Sequence, residues 1–571
     1  MQGLKPFTST KRQMNIPNRL YTFIAAIGLT LDFATAQDIT AFPKHEVRAV
    51  WLTTLEGLDW PQTKAKSPQT VESQKQELRT MLDKLRAAGI NTVLLQTRLR
   101  ATVTYPSAIE KWDACLTGTY GRSPGYDPLA FAITECHKRG MEVQAWVVAI
   151  PIGKWNSPGC QSVRRQHPGM IRKIGANGYI NPAYPSSARY IASICSEITR
   201  HYDVNGIHLD YIRYPETWPS PRNAYEQTTR QRNITAIVTA VRDSVKAIKP
   251  WVKLSCAAIG KHAPLPRRDS RGWDALYKGS QEAQSWLSSG LIDQVYPMIY
   301  FSGNDFYPFM TDWSESAPNP SSVIAGIAAY RLTRSEGDWP LIEVERQMNV
   351  ARSQGAGVAL FRARFLTEDT KGLYRFMRDT FSPIPALVPP TGQTPPHKPE
   401  APQHLTIAKA AHGQSVLQWH PANNSTYNVY ASDTYPVDTA AAHNIVAANL
   451  KENCIPLSSA EQKMHFAVTA TDSSGHESPA ARTNAPVQQD NIIIENGRIP
   501  MPKDAQDNVF IMLKDIAGRS IAILPCKNGY ANTGRINAGY YAVYTLNDKG
   551  ETRRIMFAAI YSGKRIRLFP L

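Results

Sequence analysis

Between residues 46 and 381 a short apolar, β-prone run recurs eight times, at 46–53, 90–96, 141–150, 206–210, 253–258, 294–301, 323–329 and 357–362. Segments with helical spacing lie between most of these runs and after the last. They are 70–88, 128–139, 186–202, 233–248, 282–288, 342–353 and 370–380. Three of them stop at a glycine, Gly89, Gly140 or Gly290, as helices often do. Parallel strands need crossovers, and right-handed βα crossovers in this number close into a (β/α)8 TIM barrel. A doubly wound open sheet is the alternative, but the sequence has neither the GxGxxG nor the Walker loop that usually accompanies one.

The fourth run opens the stretch NGIHLDYIRYP, residues 205–215. Side chains alternate along a strand, so His208 and Asp210 share one face while Ile207, Leu209 and Tyr211 share the other. A carboxylate at the end of a buried strand needs a reason, because an unpaired buried charge is costly. At the mouth of a parallel barrel, where the loops after the strands build the active site, catalysis is one such reason. The plainer reading is a structural Asp210 paired with Arg213.

The rest of the chain divides by composition. Residues 1–36 read as a secretory signal: Lys5, Lys11, Arg12 and Arg19 precede an apolar run at 21–33 and the small-residue site Ala34-Thr35-Ala36. The formal charge is +17, and losing those four cations with Asp32 leaves +14. Such a balance favours anionic partners. The cations are scattered without a nucleic-acid motif, so acidic glycans or a negatively charged envelope fit better than nucleic acid. The seven cysteines are widely spaced without a CxxC, which disfavours a zinc site and a dense disulfide framework. Cys136, Cys195 and Cys256 read as buried thiols, and a Cys115–Cys160 bridge is left open. Residues 382–402 form a Pro-rich linker of extended character. Short alternating strands follow at 403–487, with Trp419 and Tyr430 as core rings, and again at 488–571. The expected architecture is a TIM barrel over 44–381 followed by two small all-β, sandwich-like domains.

Seven collinear segments carry a family resemblance: EVRAVWLTT, NTVLLQTR, YPSAIEKWDACLTG, GYDPLAFAITECHKRGMEVQAWV, NPAYPSSARYIASICSEITRHYDVNGIHLDYIRYP, SWLSSGLIDQVYPMIYF and GAGVALFRARFL. Together they resemble the glycosyl-hydrolase-like family 10 barrels of bacterial envelope proteins, over about residues 44–381. The resemblance implies an Asp at the end of the fourth strand, which is Asp210 here. It also implies cleavage of bacterial cell-wall glycan, notably peptidoglycan strands stripped of their peptides. Two loops, 100–104 and 147–149, depart from the expected pattern and line the expected cleft. Residues 403–482 resemble a fibronectin type III sandwich, and the last segment resembles C-terminal sorting domains of the Bacteroidota.

Glycoside cleavage generally needs two carboxyl groups. Asp210 is the first. For the second, Glu56 after the first strand and Asp305 after the sixth rank above Glu216, since the fifth strand, KLSCAAIG, carries no acid. Arg98 and Arg213 are candidates for sugar hydroxyls or a lactyl carboxylate. Trp51, Trp146, Tyr211, Tyr214, Tyr296 and Tyr300 are candidates for the sugar faces, Tyr296 being the one that best reads as core; His208 is a further substrate-binding candidate, with Gln96 and Gln144 as inward polar groups. No metal or other cofactor is expected. The reading is an exported glycoside hydrolase with a polysaccharide substrate and envelope association. The alternatives are a non-catalytic carbohydrate-binding barrel or an envelope-docking protein.

Overall fold

The computed structural model describes residues 42–571, except for 267, 269–271, 392–397, 410–414, 423–424, 484–496, 501–509, 516–517, 528, 534–535, 538, 548–549, 551, 561–565 and 571. The expected export signal, 1–36, lies outside the described residues. Among the described residues, no helix is long and apolar enough to cross a membrane.

Eight parallel strands close a barrel: β1 (Arg48–Leu52), β2 (Thr92–Arg98), β3 (Glu142–Val148), β4 (Gly206–Asp210), β5 (Lys253–Ile259), β6 (Gln294–Met298), β7 (Ile324–Ile327) and β8 (Gly357–Leu360). Neighbours in sequence are neighbours in space, and β8 returns to β1 with Ala49 opposite Ala359. Outward-facing Ile207, Leu209, Val143 and Leu254 join the main core between strands and helices. Inward-facing Trp51, Leu94, Trp146, Tyr296 and Ala359 fill the barrel itself. The period-two alternation of the sequence thus becomes two cores on either side of one sheet.

Local signals set the helix boundaries. The first helix, Pro68–Ala87, starts at Ser67, whose side chain caps the Thr70 N–H while the Thr70 hydroxyl caps the Ser67 N–H. This reciprocal box satisfies two of the donors that a helix start leaves orphaned, and Pro68 fits the first turn. The helix stops at Gly89, whose φ of +77° suits glycine, and a Cβ there would sit 2.3 Å from that of Ser382.

The N-terminal end of the barrel is sealed by charge. Buried Glu46 accepts from Arg48 at 2.6 Å and from Arg352 at 2.7 Å, and Lys253 pairs with Glu142 at 2.7 Å. Burial alone would raise the Glu46 carboxyl, but the two guanidinium groups hold it below the usual carboxylate range. The chain after the last helix completes this floor. Arg48 donates to the Ile384 carbonyl at 2.7 Å, Asn91 donates to the Ala386 carbonyl at 3.1 Å, and His45 bridges to Leu387. The expected linker therefore begins with a segment that belongs to the barrel, because Arg48 and Asn91 need those carbonyls.

Two antiparallel sheets follow and share one core. One contains Gln403–Lys409, Ser415–His420 and Cys454–Leu457; the other Ile445–Leu450, Thr426–Ser432, His465–Thr471 and Ala481–Arg482. Trp419 and Tyr430 are both buried, and Tyr430 shares a cluster with Leu387 of the floor. Lys44 pairs with Glu477 at 2.5 Å and Lys451 with Asp203 at 2.9 Å, so this module is seated against the barrel. Seven antiparallel strands between Arg498 and Pro570 end the chain. There Arg554 pairs with Asp379 of the barrel's closing helix at 3.0 Å. All seven cysteines are free thiols, so the Cys115–Cys160 bridge is not formed. Cys115 packs instead beside Leu99 and Leu116, and Cys160 lies beneath Gly178.

The floor segment sets where the barrel can be cut. A fragment of residues 42–389 is expected to melt cooperatively. One ending at Thr380 loses buried Phe381 and the acceptors of Arg48 and Asn91, and is expected to be less stable by more than about 3 kcal/mol. Thermal melts of the two fragments check this, and equal stability would refute it.

Candidate functional site

The polar residues inside the barrel are joined in one line. The Trp51 indole N–H donates to His208 Nε2 at 3.2 Å, so the imidazole proton must sit on Nδ1. His208 Nδ1 then donates to Ser255 Oγ at 2.8 Å, and Ser255 donates to Gln144 Oε1 at 2.6 Å. The Gln144 amide donates to Gln294 Oε1 at 2.9 Å and to the Tyr296 hydroxyl at 3.2 Å. Every donor meets an acceptor with one consistent polarity across β1, β4, β5, β3 and β6. Burial pushes the His208 imidazolium down to about 3, so the ring is neutral and this tautomer is the one that fits. Gly326 makes room for the line's first member: a Cβ there would approach the Trp51 ring to 3.3 Å.

Asp210 lies on the same face as His208, one step nearer the mouth. Its Oδ2 accepts from the Trp146 indole N–H at 3.0 Å and its Oδ1 from the Tyr211 backbone N–H at 2.6 Å. Tyr211 holds a left-handed φ of 50°, which turns that N–H back onto the carboxylate. Burial raises the Asp210 pKa, and the Arg213 charge with the two N–H donors offsets only part of the rise. The site thus holds a fixed, dehydrated carboxyl group whose ionisation burial opposes. A shift in that direction is the one a general acid needs.

The other expected residues occupy distinct surroundings. Trp51 and His208 are fully inside, and His208 is 0 % exposed with both ring nitrogens engaged, so they shape the site from beneath. Arg98 is also wholly buried. It grips Glu110 through Nε and Nη2, the latter at 2.7 Å, and donates to the Val148 and Ala149 carbonyls. It fixes the loops after β2 and β3 and has no open face for a sugar. Glu110 is the missed partner, within the quoted YPSAIEKWD segment. Tyr214 is buried as well, edge-on to Trp218 at 5.2 Å, with its hydroxyl accepting from Asn233. Tyr211 is 38 % exposed at the mouth and carries the Arg213 guanidinium over its ring at 4.2 Å. Tyr300 forms an aromatic wall with Tyr330 and Phe361, at centroid distances of 5.7 and 5.9 Å. Its hydroxyl is buried without a hydrogen-bond partner among the described residues. Gln96 clamps the loop after β1 by accepting from the Thr54 and Leu55 N–H groups.

The acids sort differently from their sequence ranking. Glu56 is exposed in the loop after β1. The buried acid of that loop is Asp59, which accepts from Thr53, Arg362 and Arg364 and so ties the first loop to the last. Asp305 is exposed and paired with Arg268. Arg213, the expected partner of Asp210, forms its ion pair with Glu216 at 2.9 Å, and the Glu216 charge acts on Asp210. Glu216 is 45 % exposed on the loop that follows Asp210, which makes it the acid most directly joined to the site. Sequence spacing hid this, because the YPE turn gives no sign of which way its carboxylate returns. Among the described residues, no three His, Cys, Asp or Glu side chains are grouped to hold a metal ion.

Comparison with known proteins agrees with this geometry. A family model described as "Glycosyl hydrolase-like 10" matches residues 46–339. The glycosyl hydrolase YngK of Bacillus subtilis (strain 168) is 27 % identical over 484 residues, 77 % of this chain and 93 % of that protein. The glycosyl hydrolase DigH of Escherichia coli (strain K12) is 30 % identical over 369 residues, 56 % of this chain and 84 % of that protein. A solved α-L-fucosidase from Paenibacillus thiaminolyticus aligns with a TM-score of 0.38 at 13 % identity, over 58 % of this chain and 49 % of its own, too distant to weigh. With half of its length matched by the family and Asp210 seated at the mouth of a closed barrel, the chain belongs to the glycosyl hydrolase-like 10 family and is a glycoside hydrolase.

Proposed function

We propose that this hydrolase is exported and cleaves an envelope glycan, peptide-free peptidoglycan strands, with Asp210 as the general acid. The observation that carries the reading is the Asp210 carboxyl itself: buried, aimed by two N–H donors, and raised in pKa by burial. Its protonated form can donate to the glycosidic oxygen as the bond breaks. Glu216, held by Arg213, is the second carboxyl in this reading, acting on the water or on the sugar. Export is supported by the basic residues, apolar run and small-residue site of 1–36. The two-sheet module packed beneath the barrel suits a fibronectin-type spacer that presents the open face of the barrel to a wall. The alternatives are a carbohydrate-binding barrel, motivated by the missing second acid and the appended spacer, and an envelope-docking protein, motivated by the basic charge and the sandwich modules; Glu216 bears on the first of these motives alone.

Incubating the full chain with peptide-free strands and following reducing ends by mass spectrometry tests the substrate. Asp210→Asn is expected to lower turnover by at least about 10²-fold. The amide keeps the size of the carboxyl group and gives up one of its two accepted hydrogen bonds, so stability is expected to shift by no more than about 1 kcal/mol. A stable, fully active variant would remove Asp210 from the mechanism; parallel loss of melting temperature and activity would make it structural.

The pH dependence follows from the sign of the shift. A general acid works below its pKa, so kcat/KM is expected to fall as pH rises through the raised Asp210 value. The same ionisation places a charge in a dry site, so whatever stability the protonated group provides is lost over that same rise in pH. Trp146→Phe removes a donor that favours the ionised form, and is expected to move the alkaline limb of the profile upward by about one unit. An unmoved limb would assign it to another group.

A further inference from the structure

The longest excursion from the barrel leaves β3 and returns at the helix Ser187–His201. It folds as a small antiparallel sheet, Pro151–Lys154, Ile171–Ile174 and Asn177–Ile180, with the helix Pro158–Gln166. From Val143 to Ser196 the sequence contains no Asp or Glu, although acids number 47 in 571 residues overall. The same stretch carries Lys154, Arg164, Arg165, Arg172, Lys173 and Arg189. Among the described residues, none of these six cations enters an ion pair with a carboxylate. A cluster of one sign repels itself and stores potential for an anion.

The excursion is fixed to the site rather than merely near it. The Ala149 N–H donates to the Asp210 carbonyl at 2.8 Å, and the Thr217 hydroxyl meets the Tyr179 hydroxyl at 3.2 Å beside Glu216. Arg172 lies over the Trp218 ring at 5.3 Å, and Tyr179 meets the edge of the same ring at 6.3 Å. On the other face, Arg164 and Lys173 lie over Trp155 at 3.8 and 5.7 Å. Arg100 joins from the loop after β2, lying against Gly153, and its charge reaches Tyr211. Cations alternating with rings suit a ligand that has both flat apolar faces and negative charge, which is the chemistry of an acidic sugar.

We propose that this acid-free excursion is a recognition site for a glycan bearing carboxylates on its repeating sugars, with Arg172 and Lys173 as the selecting cations. The proposal rests on the reading that a glycan is the substrate, and it adds which residues read the charge. The exposed guanidinium and ammonium pair with carboxylates of the strand, held in place over Trp218 and the half-buried Trp155. The same positive field draws an acidic chain toward Asp210 from solution, so the effect weakens with added salt.

Binding, measured without cleavage, tests it. Peptide-free glycan strands and the same strands with their carboxylates chemically reduced to alcohols are titrated into the full chain. The parent protein is expected to prefer the native strands by about tenfold, with the preference shrinking as salt rises. Arg172→Gln with Lys173→Gln is expected to bring the ratio near one. Arg232→Gln with Arg242→Gln, both exposed on the helix Ala224–Ile248, serves as a control of equal charge loss and should keep the preference. Equal binding of both strands by the parent overturns the proposal, as does a preference that survives the double substitution. An oligonucleotide that competes as well as the native strands also overturns it, by making the surface a general polyanion patch. A charge preference without new reducing ends sinks the hydrolysis of these strands and leaves the recognition site standing; cleavage without a charge preference does the reverse.

Discussion

The polar side chains that cross the lumen of this barrel are bonded to one another, and the site is built on top of that line. One hydrogen-bonded line, from Trp51 through His208 and Ser255 to Gln144, Gln294 and Tyr296, satisfies every polar side chain that it crosses. Its direction is set at one end by an indole, which can only donate. That single fact fixes the imidazole tautomer, keeps the ring uncharged and orients the serine hydroxyl. Five strands are thereby stitched across the lumen as well as through their backbones. Asp210 sits just above this line, beside Trp146, whose ring is locked by the same packing.

The barrel was legible because its signal is redundant. Eight runs with alternating or continuous apolar character, separated by crossovers, leave few topologies, and the register that places His208 and Asp210 on the lumen follows from period two alone. Other parts of the site were hidden for specific reasons. Ser255 and Gln294 look unremarkable in KLSC and DQVY, because their role appears only when strands far apart in sequence face one another across the lumen. Arg98 read as a sugar ligand because it ends a strand, yet its guanidinium turns back to Glu110, twelve residues on, and disappears. The pairing of Arg213 with Glu216 rather than Asp210 depends on the path of a loop, which spacing does not encode. The floor segment at 384–387 was masked by the prolines around it, since composition reports stiffness but not hydrogen-bond partners.

The two ends of the barrel handle charge differently. At the closed end, Glu46, Arg48 and Arg352, and likewise Lys253 and Glu142, are matched at close range and contribute shape. At the open end, matched pairs such as Arg213 with Glu216 and Arg362 with Asp59 stand beside the one-signed excursion after β3. Unbalanced charge costs stability, so its confinement to one face separates the part of the molecule that must hold from the part that must act.

The return of β8 to β1, with the bridge from His45 to Leu387 beneath it, also sets a timetable for the growing chain. Until residue Leu360 has been made, β1 has no neighbour on one side and presents a row of unpaired backbone groups. Until Ile384 follows, Arg48 lacks the backbone carbonyl to which its Nη1 donates. Nearly the whole domain must therefore be synthesised before any of it can close, and in that interval the open edge of β1 is the place where two nascent copies could join to each other instead of to themselves.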